Sequence, residues 1–355
     1  MRDRKRHKDP LGLISGLCLL LSLLLAFQIG WQYYGSGLDT QTMIRTGNET
    51  VRTPIPVQSK DHVAKLRHDT PPVEQAPAHG VLFGWIFLPD VDRAWSRPIM
   101  QGTDPNVLDG LGAGHYEPTV MPGGRGNSAY AGHDTVSDFG LTYRLKPGNR
   151  IIIRTASHWY VYEVTDSRIV TSADTWVIGD EAPGVERGIT LTTCWPLFTP
   201  TDTGQRYVTW GRFVGWADTS DGVPEALADS SLSFREKVSR RSVERLSELR
   251  LPVTGVAGIA CLTGWLVADG LMWLCFHRRM RAVWSRPSWN PMVWLWRLQA
   301  GPTGGGWGLR IVSLLIRMLL AAMLLAGVMF LMWRWACPRL ADVIPWLAAP
   351  HSTVA

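Results

Sequence analysis

Three apolar runs constrain this chain more than any other feature: residues 11–30, about 253–276 and about 311–333. Each is about 20 residues long, so as a helix it measures ~30 Å, the thickness of a bilayer's hydrocarbon core. Backbone polar groups in that layer must be satisfied internally, so each run reads as a transmembrane helix. The first follows a basic stretch, residues 1–10, containing Arg2, Arg4, Lys5, Arg6 and Lys8. A cleaved signal peptide has a shorter apolar core and a small-residue cleavage site, so this is an uncleaved anchor with the N-terminus inside. Arg278, Arg279 and Arg281 hold the far end of the second run inside as well. The third run returns outward, leaving residues 334–355 as an outer tail, with Arg334 and Arg339 against the positive-inside trend. The net charge of +6 is then mostly membrane-flanking arginine. No basic stripe crosses the remainder, which speaks against a nucleic-acid partner.

Between the first two runs the chain changes character twice. Residues 31–79 are polar and carry Pro54, Pro56, Pro71, Pro72 and Pro77, the composition of an extracellular stalk, with a short helix expected around 61–67. Residues 80–217 are short β-type runs punctuated by Gly and Pro. Strands are expected at 81–88, 97–101, 127–132, 150–155, 159–170, 188–193 and 206–216, with short helices after Asp104-Pro105 and at 139–145. About eight short, evenly spaced strands favour an all-β fold, a small closed barrel or a sandwich. Residues 218–250 read as a linker and an amphipathic helix with Leu232, Val238, Val243, Leu246 and Leu249 on one face. Residues 277–310 interleave Trp284, Trp289, Trp294, Trp296 and Trp307 with arginines, which suits a headgroup belt on the inner side. Asp269 and Arg317 sit near inner ends of their runs, where a charged head can snorkel to water, and neither is given a role.

Four of the five cysteines, Cys18, Cys261, Cys275 and Cys337, lie in or beside apolar runs. Cys194 alone belongs to the β region, so that region has no disulfide framework and its thiol is either inert and buried or kept for its reactivity. It ends the β-branched run Ile189-Thr190-Leu191-Thr192-Thr193, just before Trp195-Pro196, and alternation places it on one face with Thr190 and Thr192. An isolated cysteine is more often a small core residue. Two other stretches shift the balance. A nucleophilic thiol needs a proton acceptor, and His133 follows Ala131-Gly132 at a strand end. An acyl oxyanion needs donors, and Arg206 opens the strand after the Cys194 loop, with Arg212 as a more distant fallback on the same face. His115 and His158 read as ordinary structural histidines. The order His, Cys, Arg differs from papain-like peptidases, in which Cys precedes His.

The set Thr190-Leu191-Thr192-Thr193-Cys194, Arg206 and Ala131-Gly132-His133 resembles the sortases, membrane-bound cysteine transpeptidases of Gram-positive cell surfaces. Gly102-Thr103-Asp104-Pro105, Gly112-Ala113-Gly114-His115-Tyr116 and Phe139-Gly140-Leu141 look most like the class E branch common in actinobacteria. The resemblance implies a closed eight-stranded sortase β-barrel and a catalytic set of His133, Cys194 and Arg206. It further implies substrate contacts from Thr190, Leu191, Thr193 and Tyr130. Cys194 would cleave a Leu-Pro-x-Thr-Gly or Leu-Ala-x-Thr-Gly sorting signal between Thr and Gly and hold the protein as a thioester. An amine of a cell-wall precursor or a pilin lysine would resolve it. The partners implied are surface proteins carrying that signal, an amine acceptor and the membrane. Two apolar runs after the β region are unusual for class E and closer to the pilin-polymerising class C. The class C lid, Asp-Pro followed by an aromatic residue, is absent from the stalk, because Asp104-Pro105 is followed by Asn106. Wall anchoring is therefore placed ahead of pilus assembly, a plain cysteine peptidase and a non-catalytic surface-binding domain.

No acidic cluster has metal-ligand spacing, and nothing requires a cofactor. Leu251-Pro252-Val253-Thr254-Gly255 is itself a sorting-signal pentapeptide, followed by an apolar run and His277-Arg278-Arg279-Met280-Arg281. Self-cleavage there is a possibility set against chance, since Leu, Pro and Gly are common at the entrances of membrane spans.

Overall fold

The computed structural model describes residues 10–39, 62–108, 112–197, 202–228, 230, 232–284, 288–301 and 306–347. Most of the basic N-terminus, the stalk residues 40–61 and the end of the tail lie outside the described residues. The chain divides into two units, Gln32–Val253 with Leu340–Ala355, and Met1–Trp31 with Thr254–Arg339.

In the first unit, period-two alternation builds a closed barrel. Its strands are β1 Leu82–Phe87, β2 Ser96–Gln101, β3 Ala113–His115, β4 Gly126–Ala131, β5 Arg150–Arg154, β6 His158–Thr171, β7 Arg187–Trp195 and β8 Gln205–Asp218. Around the barrel the order is β1-β2-β3-β4-β7-β8-β6-β5, with β5 closing on β1. Closure leaves no unpaired edge. One set of alternate residues fills the interior, including Ile86, Ile99, Tyr130, Ile151, Ile153, Tyr162, Ile189 and Leu191. The opposite set is covered from outside: Trp85, Phe87 and Trp159 lie beneath Ala64, Val223 and Leu227, while Ala129, Ala131, Val208 and Trp210 lie beneath Leu108 and Val177. This second covering layer sits over β4, β7 and β8, the three strands that carry the candidate site.

Seven strands fall where the sequence places them. The eighth, β3, was expected only as the end of a helix, because Ala-Gly-His has no β-forming side chain. It is made by backbone pairing alone, parallel to β2 and antiparallel to β4. A Cβ on Gly114 would lie 2.3 Å from the Gly102 carbonyl oxygen, so only glycine permits that approach. The helix before it, α2, is Pro105–Leu108, and the one-turn helix Phe139–Arg144 is as expected.

Two other expectations are corrected. Residues 62–79 are not a free stalk, and 62–67 form no helix. Val63 bridges Val223, Arg67 bridges Trp216, the Trp216 indole donates to Asp69, and the Tyr160 hydroxyl donates to Pro72. This segment is held because it covers Trp159 and Trp216, which the barrel alone leaves exposed to water. The amphipathic helix, α3 Phe234–Glu248, starts with a Ser233–Glu236 capping box, but it packs by Arg240, Glu244 and Ser247. The Arg240 guanidinium donates to the carbonyls of Leu227 and Arg93, and Phe234, Val238 and Leu249 are left exposed. Satisfying two loop carbonyls outweighed burying an apolar stripe.

In the second unit, α1 Pro10–Gly30, α4 Val253–Trp284, with non-helical geometry at Phe276, and α6 Trp307–Leu331 flank a short helix, α5 Pro291–Leu298. Three helical stretches among the described residues, Pro10–Gly35, Val253–His277 and Trp307–Val343, are long and apolar enough to cross a membrane. Asp269 and Arg317 do not snorkel. Asp269 accepts the Ala300 N–H, Arg317 donates to the carbonyls of Gln299 and Trp296, and together they tie down the chain end of α5. Val253, Thr254 and Gly255 are the first turn of α4, so the pentapeptide is not presented as an extended strand.

Candidate active site

Three neighbouring strands bring three distant residues level. β7 ends Thr193-Cys194-Trp195, the Trp195-Pro196 peptide being cis. β8 runs antiparallel beside it with Arg206 directly opposite Cys194, so their Cα atoms are ~5 Å apart. On the other flank β4 runs parallel, with Ala131 opposite Thr192 and the Gly132 N–H donating to the Thr192 carbonyl. His133 follows two residues beyond that last paired position. Adjacent strands lie ~4.8 Å apart, so the strand that carries Arg206 and the strand that leads to His133 flank β7 on either side. Arg212 is opposite Gly188, some six residues or ~20 Å up the strand. It pairs with Glu163 and takes no part.

All three side chains are withdrawn from water: Cys194 is 4 % exposed, His133 2 % and Arg206 3 %. The surroundings are nonetheless polar. Burial pushes the Cys194 thiol up to about 12, the Arg206 charge opposes this, and Asp134 and Asp202 add to it. The resting sulfur is therefore a thiol, poised beside a cation. Burial also works against the Arg206 charge, but the Asp202 carboxylate outweighs it and holds the guanidinium protonated. That pair is bidentate, Nη1 to Oδ1 at 2.8 Å and Nη2 to Oδ2 at 3.0 Å. His133 is positioned through its backbone: its N–H donates to Asp138 Oδ2, 3.1 Å away. A Cβ at Gly132 would meet that carboxylate and the Phe139 ring, so the residue before the histidine has to be glycine.

The substrate contacts expected of the flanking motif residues are only partly compatible with this geometry. Thr190 shares the Cys194 face but is fully buried, donating to Asn127 and Val177. Leu191 and Tyr130 point into the barrel interior, the Tyr130 hydroxyl against Ser128, and Thr193 shares their side of β7. These three have exposures of 0–1 %. Strand alternation gives every second residue to the core, and these three occupy such positions. Thr192 instead faces outward beside Cys194, bonded to the Tyr116 hydroxyl at 3.1 Å. Sequence reasoning passed over Tyr116, Asp202, Asp134 and Asp138. Asp202 had a signal of sorts, lying four residues before Arg206; Asp138 had none. Among the described residues no group of His, Cys, Asp and Glu side chains is arranged to hold a metal ion.

A closed barrel with a cysteine at a strand end, flanked by histidine and arginine on the neighbouring strands, defines a class of cysteine acyl-transfer scaffold. Residues 86–214 match the sortase domain. Sortase SrtE1 of Streptomyces coelicolor is 31 % identical over 187 residues, covering 48 % of this chain and 52 % of that protein. The chain thus spans about half the length of the curated relative it matches. Among solved structures, the SrtA sortase from Actinomyces oris is 34 % identical (TM-score 0.43, covering 48 % of this chain and 100 % of that one). Sortase E from Streptomyces avermitilis is 30 % identical (TM-score 0.39, 42 % and 99 %). Residues 86–214 are thus a sortase domain.

Proposed function

We propose that the protein is a membrane-anchored cysteine transpeptidase that cleaves Leu-Pro-x-Thr-Gly or Leu-Ala-x-Thr-Gly sorting signals between Thr and Gly. The Cys194 S–H proton passes to the His133 imidazole as sulfur attacks the threonine carbonyl. Arg206 donates to the oxyanion that forms. The C–N bond to glycine then breaks, and the imidazolium returns its proton to the departing amine. The thioester left on Cys194 is resolved by the amine of a cell-wall precursor, which loses its proton to His133 as the C–S bond breaks. Because the resting thiol holds its proton firmly, the nucleophile is generated only when substrate excludes water and brings sulfur and imidazole together.

One observation supports this reading above the others: β8 sets Arg206 directly opposite Cys194, while β4, parallel to β7 on its other flank, ends two residues before His133. The basic residues before the first apolar helix and after the second favour a plasma-membrane protein with its N-terminus in the cytoplasm and its barrel on the extracellular side. The apolar helices after the barrel favour, as a second reading, a pilin polymerase using a lysine amine as acceptor. Product mass separates the alternatives. With a signal peptide and an added amine, a transpeptidase yields the amide, whereas a peptidase yields only the free acid. Testing a triglycine amine against a lysine side-chain amine distinguishes anchoring from polymerisation. Cleavage by a Cys194→Ala variant would overturn the proposal, and so would a wild type that gives neither product nor a Cys194-bound acyl group.

A further inference from the structure

The residues that leave the first apolar helix are built into the loop that carries His133. α1 continues as a π-helical turn, Trp31–Gly35, and the residues from Tyr33 to Gly37 run along residues 133–138. The Tyr33 carbonyl accepts the Val136 N–H at 3.0 Å. The Ser36 carbonyl accepts the Ser137 hydroxyl. The Gly37 carbonyl accepts Nη1 of Arg97 at 3.2 Å, and Nη2 of the same guanidinium reaches Asp138 Oδ2 at 3.3 Å. That oxygen is the one to which the His133 N–H donates. A continuous relay therefore runs from Gly37 through Arg97 and Asp138 to the histidine backbone. Arg97 is 2 % exposed and Asp138 1 %. At such burial, removing one partner of a charge pair leaves the other uncompensated, so the pair is sensitive to what holds it. The fit is tight at its origin too: Gly37 has φ +79°, and a Cβ there would lie 2.3 Å from Arg97 Nη1. Tyr33, 7 % exposed, completes the seal over the loop.

We propose that residues 33–37 form a strap that positions His133, with Arg97 and Asp138 as positioning residues, so that the segment joining the membrane anchor to the barrel is a working part of the active site. The inference rests on the transpeptidase reading for its consequence in rate, but not for its geometry. His133 lies two residues beyond the end of β4, where no strand pairing fixes the chain, and the strap supplies that restraint from outside the barrel.

The test uses the full chain in lipid nanodiscs, with a quenched fluorescent Leu-Ala-Asn-Thr-Gly peptide as probe. Gly37→Ala adds a methyl group where the Arg97 fork must sit, and Ser137→Ala deletes one strap bond without adding bulk. Both should raise amide hydrogen exchange across residues 133–138. Gly37→Ala should cut kcat about tenfold or more, since a small misplacement of a catalytic base is that costly. KM should change by no more than about twofold, because peptide binding itself is not the step disturbed. In Ser137→Ala, which adds neither bulk nor backbone strain, Cys194 alkylation and the thermal unfolding midpoint should be unchanged. Wild-type exchange at 133–138 in both variants overturns the inference, whether or not the peptide is cleaved. So does a loss of kcat that merely tracks a lowered midpoint. A wild type that leaves the peptide intact refutes the transpeptidase reading instead, and the exchange measurement still decides the strap.

Discussion

The buried thiol gives the most discriminating prediction. A free cysteine has its pKa near 9.0, and burial in the β7 groove raises Cys194 to about 12 against the pull of Arg206. At any pH below both values this gap lowers the thiolate population ~1,000-fold. The more basic thiolate is also the better nucleophile, and with a Brønsted coefficient of about 0.4–0.5 it recovers roughly 15- to 30-fold. In the absence of substrate, iodoacetamide should therefore label Cys194 ~30- to 60-fold more slowly than a free thiol at the same pH. Its rate should climb ~tenfold per pH unit through pH 10 with no plateau, whereas an ordinary thiol levels off near pH 9. Peptide-level mass spectrometry separates Cys194 from the other four cysteines. The charges around sulfur set the sign of two variants. Arg206→Ala removes the group that favours thiolate and slows labelling further, while Asp202→Asn removes a carboxylate that opposes it and speeds labelling. A plateau at or below pH 8, or labelling as fast as a free thiol, would refute the argument that Cys194 rests protonated beside a cation.

Three further outcomes follow from the same geometry. His115, fully buried between Gln101 and Val120, is lowered by that burial from 6.5 to about 4. The unfolded chain takes up the proton first, so stability present above pH 6.5 is lost as pH falls toward 4, by up to ~3 kcal/mol. Barrel unfolding followed by near-UV circular dichroism should show this slope, and His115→Gln should flatten it. Trp159→Ala should destabilise the barrel by ~3–5 kcal/mol in denaturant titrations, because the ring is fully buried and its indole N–H donates to the Gly222 carbonyl; a loss below about 1 kcal/mol would show that residues 62–67 do not depend on it. Finally, wild-type and Cys194→Ala chains should have the same length in cells, since Thr254 and Gly255 lie in the first turn of α4 and not in an extended segment. A shorter wild-type product ending at Thr254 would show that this turn unwinds.

How far the sequence reached depends on the kind of interaction. Membrane-length helices and strands are written as local periodicity, so Pro10–Gly30, Trp307–Leu331 and seven of the eight strands were legible to within a few residues at each end. β3 was not, because it exists through backbone pairing with β2 and β4 and its own three residues express no preference. Cys194, His133 and Arg206 were legible as a set because their chemistry restricts residue type. That Tyr130 and Leu191 face the barrel interior was not legible, because membership in a motif does not reveal which face of a strand a side chain takes.

By itself the sequence determined the division into apolar helices and a β domain, the lone soluble-region cysteine, and the residue types placed at three strand ends. Barrel closure decided the rest: that β4 lies parallel to β7, that Asp202 grips Arg206, that Asp138 holds His133, and that residues 33–37 reach both through Arg97. Local patterning records what each residue does to its immediate neighbours. The relay to His133 joins groups a hundred residues apart, and only the long-range pairing that closes the barrel could set their distances.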